Sequence, residues 1–321
     1  MKQLYLAALV AAAAAALPVF AQSTTAGDQG EPGWAPSPYG ADDRIGAMNN
    51  LSAAKTVAAA DLVSEGKVYA LGVVTGPETP SYPGRGYRAV ITQSAIAGEP
   101  LGPDRIVTHD DLIVANMGIG TQIDGFAHMG IDNHYYNGRP AAEVYGVDGV
   151  RMYGTQDIPP AATRGILLDM AKLFGVDALP ANTAFNREEI DRAAAAAGVE
   201  IGSGDVVLFH TGWMAAKAES DPAAYIAAQP GLGLEGAEYL ADLGVVMVGA
   251  DSAALEALPG EDPDRPFRVH QHLLTKTGVH VLENIDTNAL AADGATEFLF
   301  VLGQPRFAGT VQVVINPVAI R

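Results

Sequence analysis

The sequence predicts an α/β fold whose core is dominated by strands. Three observations carry that prediction. Short apolar, β-rich runs recur along the chain, two segments between them have helical periodicity, and no repeat, long linker or composition break divides the 321 residues. With 49% hydrophobic residues the chain can bury a large core, and residues 41–321 read as one domain.

Taken in order, the elements begin with a leader. Met1-Lys2 precedes an apolar, alanine-rich run from Leu4 to Val19, and Val19-Phe20-Ala21 ends it before Gln22. A positive start, a greasy centre and a small residue at the cut make residues 1–21 a signal peptide, and the mature chain is expected in the periplasm or secreted. A retained anchor is the weaker alternative, because the run is short for a bilayer. Residues 22–40 are rich in Gly, Pro and small polar residues and read as an extended arm that Trp34 anchors. Ala53 to Gly66 has helical periodicity with a glycine stop, and Val68 to Val74 reads as a strand. Further strands are expected at Ile166–Met170, Val206–His210, Val245–Gly249, Val279–Glu283, Glu297–Leu302 and Thr310–Ile315. Arg187 to Gly198 is a strong helix, with acidic residues in its first turn and glycine at its end; Gly233 to Leu243 is a second.

Composition narrows the function. The chain carries 37 acidic against 19 basic side chains, a net charge of −18, which disfavours nucleic acid and anionic membrane surfaces and leaves a small molecule as the expected partner. Cysteine is absent, so the fold is held without disulfides and any metal site must use nitrogen and oxygen ligands.

Two polar clusters carry the chemistry. In the first, Asn116 to Gly138 (NMGIGTQIDGFAHMGIDNHYYNG), Gln122 and Asp124 lie two apart and would share one face of an extended segment, as ligands of a single cation do. His128 follows four residues later, near enough to act on a water if the chain turns at Gly125. The same residues would also suit a polar turn. In the second cluster, Val269 to Ile285 (VHQHLLTKTGVHVLENI), His270 and His272 alternate as on a strand or irregular face, and Glu283 closes an apolar run. Imidazole with carboxylate suits a transition metal, although paired histidines are also ordinary surface or capping features. A carboxylate closing an apolar strand needs a partner once it is buried.

Together the clusters resemble the cyclase family of metal-dependent hydrolases, which includes bacterial kynurenine formamidase and isatin hydrolase. That family's first cluster runs H-x-G-T-H-x-D-x-P-x-H, where the first two His and the Asp bind metal and the last His is an acid/base. Here the frame reads Gly118-Ile119-Gly120-Thr121-Gln122-Ile123-Asp124-Gly125-Phe126-Ala127-His128. Asp124 and His128 match directly, whereas Gly118 and Gln122 stand at the two His positions. Asp43 to Asn49, Gly66 to Gly72, Gly204 to Trp213 and His270 to Glu283 resemble further family segments in the same order. The GTQ form with a following Tyr136-Asn137-Gly138 resembles a longer subgroup.

The resemblance implies an α/β, β-rich single domain with a central barrel-like mixed sheet flanked by helices, assembled as a homodimer or homotetramer. It implies hydrolysis of a C–N or ester bond in a small, cyclic amide, imide or lactone, using Mn²⁺ or Zn²⁺. Asp124, His270 and Glu283, with Gln122 as a neutral ligand, would hold the metal, and His128 would move protons. An amide in place of imidazole hardens the ligand set toward Mn²⁺, Mg²⁺ or Ca²⁺, so one oxygen-rich site is expected rather than a zinc pair. His134, Tyr136, His210, Trp213 and His272 are candidates for the substrate pocket, and Asp251 and Glu256 for an approach to the site. The competing class is a non-catalytic periplasmic small-molecule binding protein on the same scaffold.

Overall fold

The computed structural model describes residues 32–93 and 100–321; the leader and residues 22–31 of the arm lie outside the described residues. A nine-stranded mixed sheet, curled into a half-barrel, organises the chain. Its order in space is Val68–Ala70, Val318–Ile320, Glu297–Leu302, Ala161–Asp169, Val206–His210, Met247–Ala250, His280–Glu283, Gln122–Asp124 and Gln312–Val314. The four strands from Ala161–Asp169 through His280–Glu283 run parallel to one another, and antiparallel strands extend them on both sides.

The expected runs Val206–His210 and Glu297–Leu302 are strands over those same residues, and the other runs fall inside or overlap strands. The apolar run at Ile166 belongs to a strand that starts earlier, at Ala161, because pairing with Glu297–Leu302 continues along the more polar stretch. The expected helices lie at Ala53–Ala60, Arg187–Ala197 and Leu234–Asp242. Glu189 caps the second by accepting the Asn186 backbone N–H at 2.9 Å, and Gly198 closes it at φ +72°. Among the described residues no helix is long and apolar enough to cross a membrane.

Side-chain alternation gives the sheet two apolar faces. On one, Ile166, Leu168, Val207, Phe209, Val248 and Val281 pack beneath Ile190, Leu240 and Leu273 of the covering helices. On the other, Leu167, Leu208, Leu282, Ile123, Val313 and Phe298 form a second cluster. The sequence reading had no place for a two-stranded hairpin, Tyr87–Gln93 with His109–Ala115, that stands apart from this sheet. What remains of the arm is a run of turns: Ser37 is tied to Asn137 and Tyr136, and Trp34 is partly buried with its indole N–H unpartnered.

Candidate metal centre

Strand register assembles the site. Glu283 lies across from Gln122, Val281 across from Asp124, and Asp124 is flanked on its other side by Gln312. Since Ile123, Leu282 and Val313 fill one face, their neighbours Gln122, Asp124, Glu283 and Gln312 must point to the opposite, helix-covered face. The helical segment Arg268–Thr277 lies over that face through Val269, Leu273 and Leu274, and it delivers His270.

The resulting cluster is buried and closely held. Asp124, His270 and Glu283 are all buried, and one ligand atom from each lies within 4.8 Å of the other two. His270 Nδ1 bonds Glu256 Oε1 at 2.5 Å, while the Glu256 carboxylate also accepts the backbone N–H groups of Val269 and His270. This fixes the ring so that Nε2 faces Glu283 Oε1 at 3.1 Å and Asp124 Oδ2 at 3.6 Å. Gln122 Nε2 donates to Glu283 Oε2 at 2.5 Å, and Gln312 Nε2 donates to Asp124 Oδ1 at 2.8 Å. Two acceptors are left over: Asp124 Oδ2 and Gln122 Oε1 are buried without a hydrogen-bond partner. Buried oxygen acceptors without a donor are costly, and a cation held by the trio would satisfy Asp124 Oδ2. The donor set of two carboxylates and one imidazole fits a divalent metal.

The electrostatics agree. Burial, reinforced by the Asp124 charge, raises the Glu283 carboxyl to about 7 despite the nearby His270. Burial also works to raise Asp124, but His128, His270 and the Gln312 amide outweigh it and hold this carboxyl below its ordinary value. His270 is pulled the other way: burial disfavours its charge, yet the carboxylates of Asp124, Glu256 and Glu283 around the ring raise its pKa well above normal. A proton on that imidazole and a divalent cation are alternative answers to the same surplus of negative charge. His128 approaches with Nε2 3.7 Å from Asp124 Oδ2. Burial lowers its pKa, and His270 and Arg85 add to the effect against the pull of Asp124. His128 is thus a neutral imidazole near pH 7, as a proton acceptor must be.

Gly118, at the first of the two divergent positions, has a steric reason to lack a side chain. A Cβ there would lie 2.6 Å from Arg85 Nη1 and 2.6 Å from Gln312 Oε1. Arg85 donates through Nη1 to the Gly118 carbonyl, so a guanidinium and an amide occupy the space that an imidazole would need.

The Cyclase family model ("Putative cyclase") matches residues 50–257. The chain belongs to the cyclase family. A solved structure described as a novel cyclase is 25% identical over 88% of this chain and 96% of its own, with a TM-score of 0.80. An isatin hydrolase bound to the product analogue thioisatinate is 18% identical, covering 84% of this chain and 98% of that one, with a TM-score of 0.59. A "predicted metal-dependent hydrolase" from Bacillus stearothermophilus is 17% identical over 80% and 98%, with a TM-score of 0.53. These last two similarities concern the fold. A comparison with curated proteins finds no match.

In this chain the tertiary structure brings together five residues singled out in the sequence: Gln122, Asp124, His128, His270 and Glu283. It separates others. His270 and His272 sit on a helix rather than an alternating strand, and residues two apart on a helix do not face the same way. His272 consequently lies in the electrostatic reach of Glu238, Asp242 and Lys276, with a buried, unpartnered Nε2. Tyr136 is a core residue, fully buried, its hydroxyl held by Ser37 and Asp43. His134 bonds the Asp132 carbonyl in its own turn. Trp213 packs with Met214 and Tyr225, and its N–H goes to the Tyr225 carbonyl. His210, at the end of its strand, bonds Thr287 at 2.8 Å and lies 3.5 Å from Asp251. Asp251 accepts the Thr211 and Gly212 backbone N–H groups and so fixes the turn that precedes the helix at Trp213. Residue-level reasoning passed over Arg85, Tyr82 and Gln312. Arg85 and Tyr82 lie in a Gly/Pro-rich stretch without periodicity, and Gln312 sits in an apolar strand where an amide gives no local signal.

Proposed function

We propose that this protein is a metal-dependent hydrolase that cleaves a C–N or ester bond of a small cyclic amide, imide or lactone. The observation that carries the reading is the buried trio Asp124, His270 and Glu283, with Asp124 Oδ2 and Gln122 Oε1 left without a hydrogen-bond partner. Hydrolase names among the structural neighbours support it.

The trio and Gln122 would hold the cation, which supplies Lewis acidity toward a water and a carbonyl oxygen. The oxygen-rich set favours Mn²⁺, with Zn²⁺, Mg²⁺ or Ca²⁺ as competitors. Around it the chain's own groups have distinct tasks. Glu256 keeps His270 Nδ1 occupied, so that Nε2 alone is available to the centre. Gln312 fixes Asp124 by one oxygen and leaves the other free. His128, neutral and within 3.7 Å of Asp124, accepts the proton of the attacking water and returns it to the leaving nitrogen or oxygen. A cavity of about 710 Å³, lined in part by Tyr225 and Asn284, the residue after Glu283, is of a size that takes a small cyclic molecule.

We extend the proposal to location and assembly. The Met1–Ala21 pattern supports export to the periplasm or beyond. A homodimer or homotetramer is supported by the hairpin, whose Ile91, Leu112, Ile113 and Val114 are each more than half exposed.

The test is to strip the mature protein of metal, return Mn²⁺ or Zn²⁺, and assay isatin, cyclic imides, lactones and N-formyl compounds. Metal-dependent ring opening or deformylation that is lost in His128→Ala is expected. Ligand binding without turnover would replace the hydrolase with a binding protein, and two tightly held zinc ions in untreated protein would overturn the single oxygen-rich site.

A further inference from the structure

Segment 75–85 brings three polar groups to the glycine-rich turn that leads into the metal centre. Thr75 lies against Gly120, whose added Cβ would meet the Thr75 hydroxyl at 2.1 Å. The Tyr82 hydroxyl is buried without a hydrogen-bond partner, and so is that of Thr75. Arg85 reaches the Gly118 carbonyl and stacks over Tyr82, with its guanidinium carbon 5.2 Å from the ring centre. Among the described residues Arg85 has no carboxylate within 4.0 Å, in a protein of net charge −18.

This is not how an idle arginine behaves. A Cβ on Gly118 would lie 2.6 Å from both Arg85 Nη1 and Gln312 Oε1, and Gln312 holds Asp124, so the guanidinium sits beside the centre rather than on a remote surface. The same stretch of chain borders the 710 Å³ cavity through Gly76 to Pro80 and a second, of about 510 Å³, through Pro80 to Pro83. A guanidinium offers five N–H donors in a planar fork; one is used on Gly118, and the remainder match the two oxygens of a carboxylate.

We propose that Arg85, supported by Tyr82, is the anion anchor of the site and selects ligands that carry a carboxylate. The proposal deepens the hydrolytic reading and rests on it for the word substrate. Arg85 sets the ligand's orientation by charge and fork geometry, and the Tyr82 hydroxyl adds a donor that the folded chain leaves unused. The carboxylate either belongs to the substrate from the start or is released by cleavage.

Calorimetry on Mn²⁺-loaded protein with benzoate and its neutral isostere benzamide separates the anchor from general aromatic binding. Wild type should prefer benzoate about tenfold or more. Arg85→Met should lose most of that preference with the metal content unchanged, Arg85→Lys should keep part of it, and Tyr82→Phe should weaken benzoate alone by a few-fold. Equal affinity for the two probes in wild type, or an undiminished preference in Arg85→Met, would overturn the proposal. Turnover of N-formylanthranilate and formanilide then identifies the source of the carboxylate. A KM rise in Arg85→Met confined to N-formylanthranilate supports recognition of the substrate's own group. Equal KM values with benzoate inhibition lost support recognition of the released acid. If neither these two compounds nor the isatin, imide and lactone panel is turned over while the benzoate preference and its loss in Arg85→Met persist, the hydrolytic reading fails and the anchor stands.

Discussion

The strands that carry the metal centre and the hairpin that immediately precedes them in sequence break the rule of apolar-in, polar-out in opposite directions. Gln122, Asp124, His270 and Glu283 are almost completely buried, whereas Ile91, Leu112, Ile113 and Val114 are more than half exposed. In the hairpin both faces carry apolar residues among charged ones: Leu112 and Val114 share one, while Ile113 and Ile91, which is paired with Asp111, share the other. Buried polar groups and exposed apolar patches are the informative departures from average burial. The first kind points inward, to a ligand that completes the polar set; the second points outward, to a surface that covers the strand.

If the centre is a cation site, the largest effects come from its carboxylates. Asp124→Asn or Glu283→Gln should lower Mn²⁺ affinity and turnover by at least about 100-fold, since a ligand change should exceed the effect of losing an outer-shell partner. Metal content measured beside the rate checks this, and full metal occupancy in either variant would break the contrast. Glu256→Gln leaves the direct ligands intact but weakens the carboxylate that orients His270. A loss of about 10- to 100-fold in metal affinity is expected from titration of stripped protein. Returning Mn²⁺ to stripped wild type should raise thermal stability, by about 2.7 kcal/mol at a hundred times the Kd.

The turn between the two regions offers a test of packing alone. Gly120 has φ +69° and no room beside Thr75, so Gly120→Ala should destabilise the protein by about 1–3 kcal/mol, measured by denaturant unfolding. The smallest effect on folding is expected in the hairpin. Leu112→Glu with Val114→Glu should leave chain stability within about 0.5 kcal/mol per site while reducing the particle mass seen by light scattering. An unchanged mass would mean that this face does not hold the copies together.

Much of the fold was legible before the structure because its signals are local. The strand Val206–His210 is an unbroken apolar run, and the helix Arg187–Ala197 has its first-turn acids and its glycine stop in plain view. The hairpin was not legible: its residues Tyr87–Gln93 and His109–Ala115 mix charged and apolar side chains on strands that no core pattern constrains. The site was legible where a motif or a paired spacing existed, as at Asp124, His128 and Glu283. At His272 the alternating spacing suggested a strand or irregular face, whereas the chain there is helical and turns this side chain away from His270.

By itself, the sequence determined the elements with a local signature: the apolar strands, the capped helices, an oxygen- and nitrogen-only ligand set, and membership of a family through ordered motifs. Only the tertiary structure decided who meets whom. That Glu283 lies across from Gln122, that Glu256 orients His270, and that Arg85 fills the space beside Gly118 are consequences of strand register and of packing between residues far apart in the chain. Periodicity fixes which face a side chain takes, whereas its neighbours across a sheet depend on long-range pairing, to which local patterns are blind.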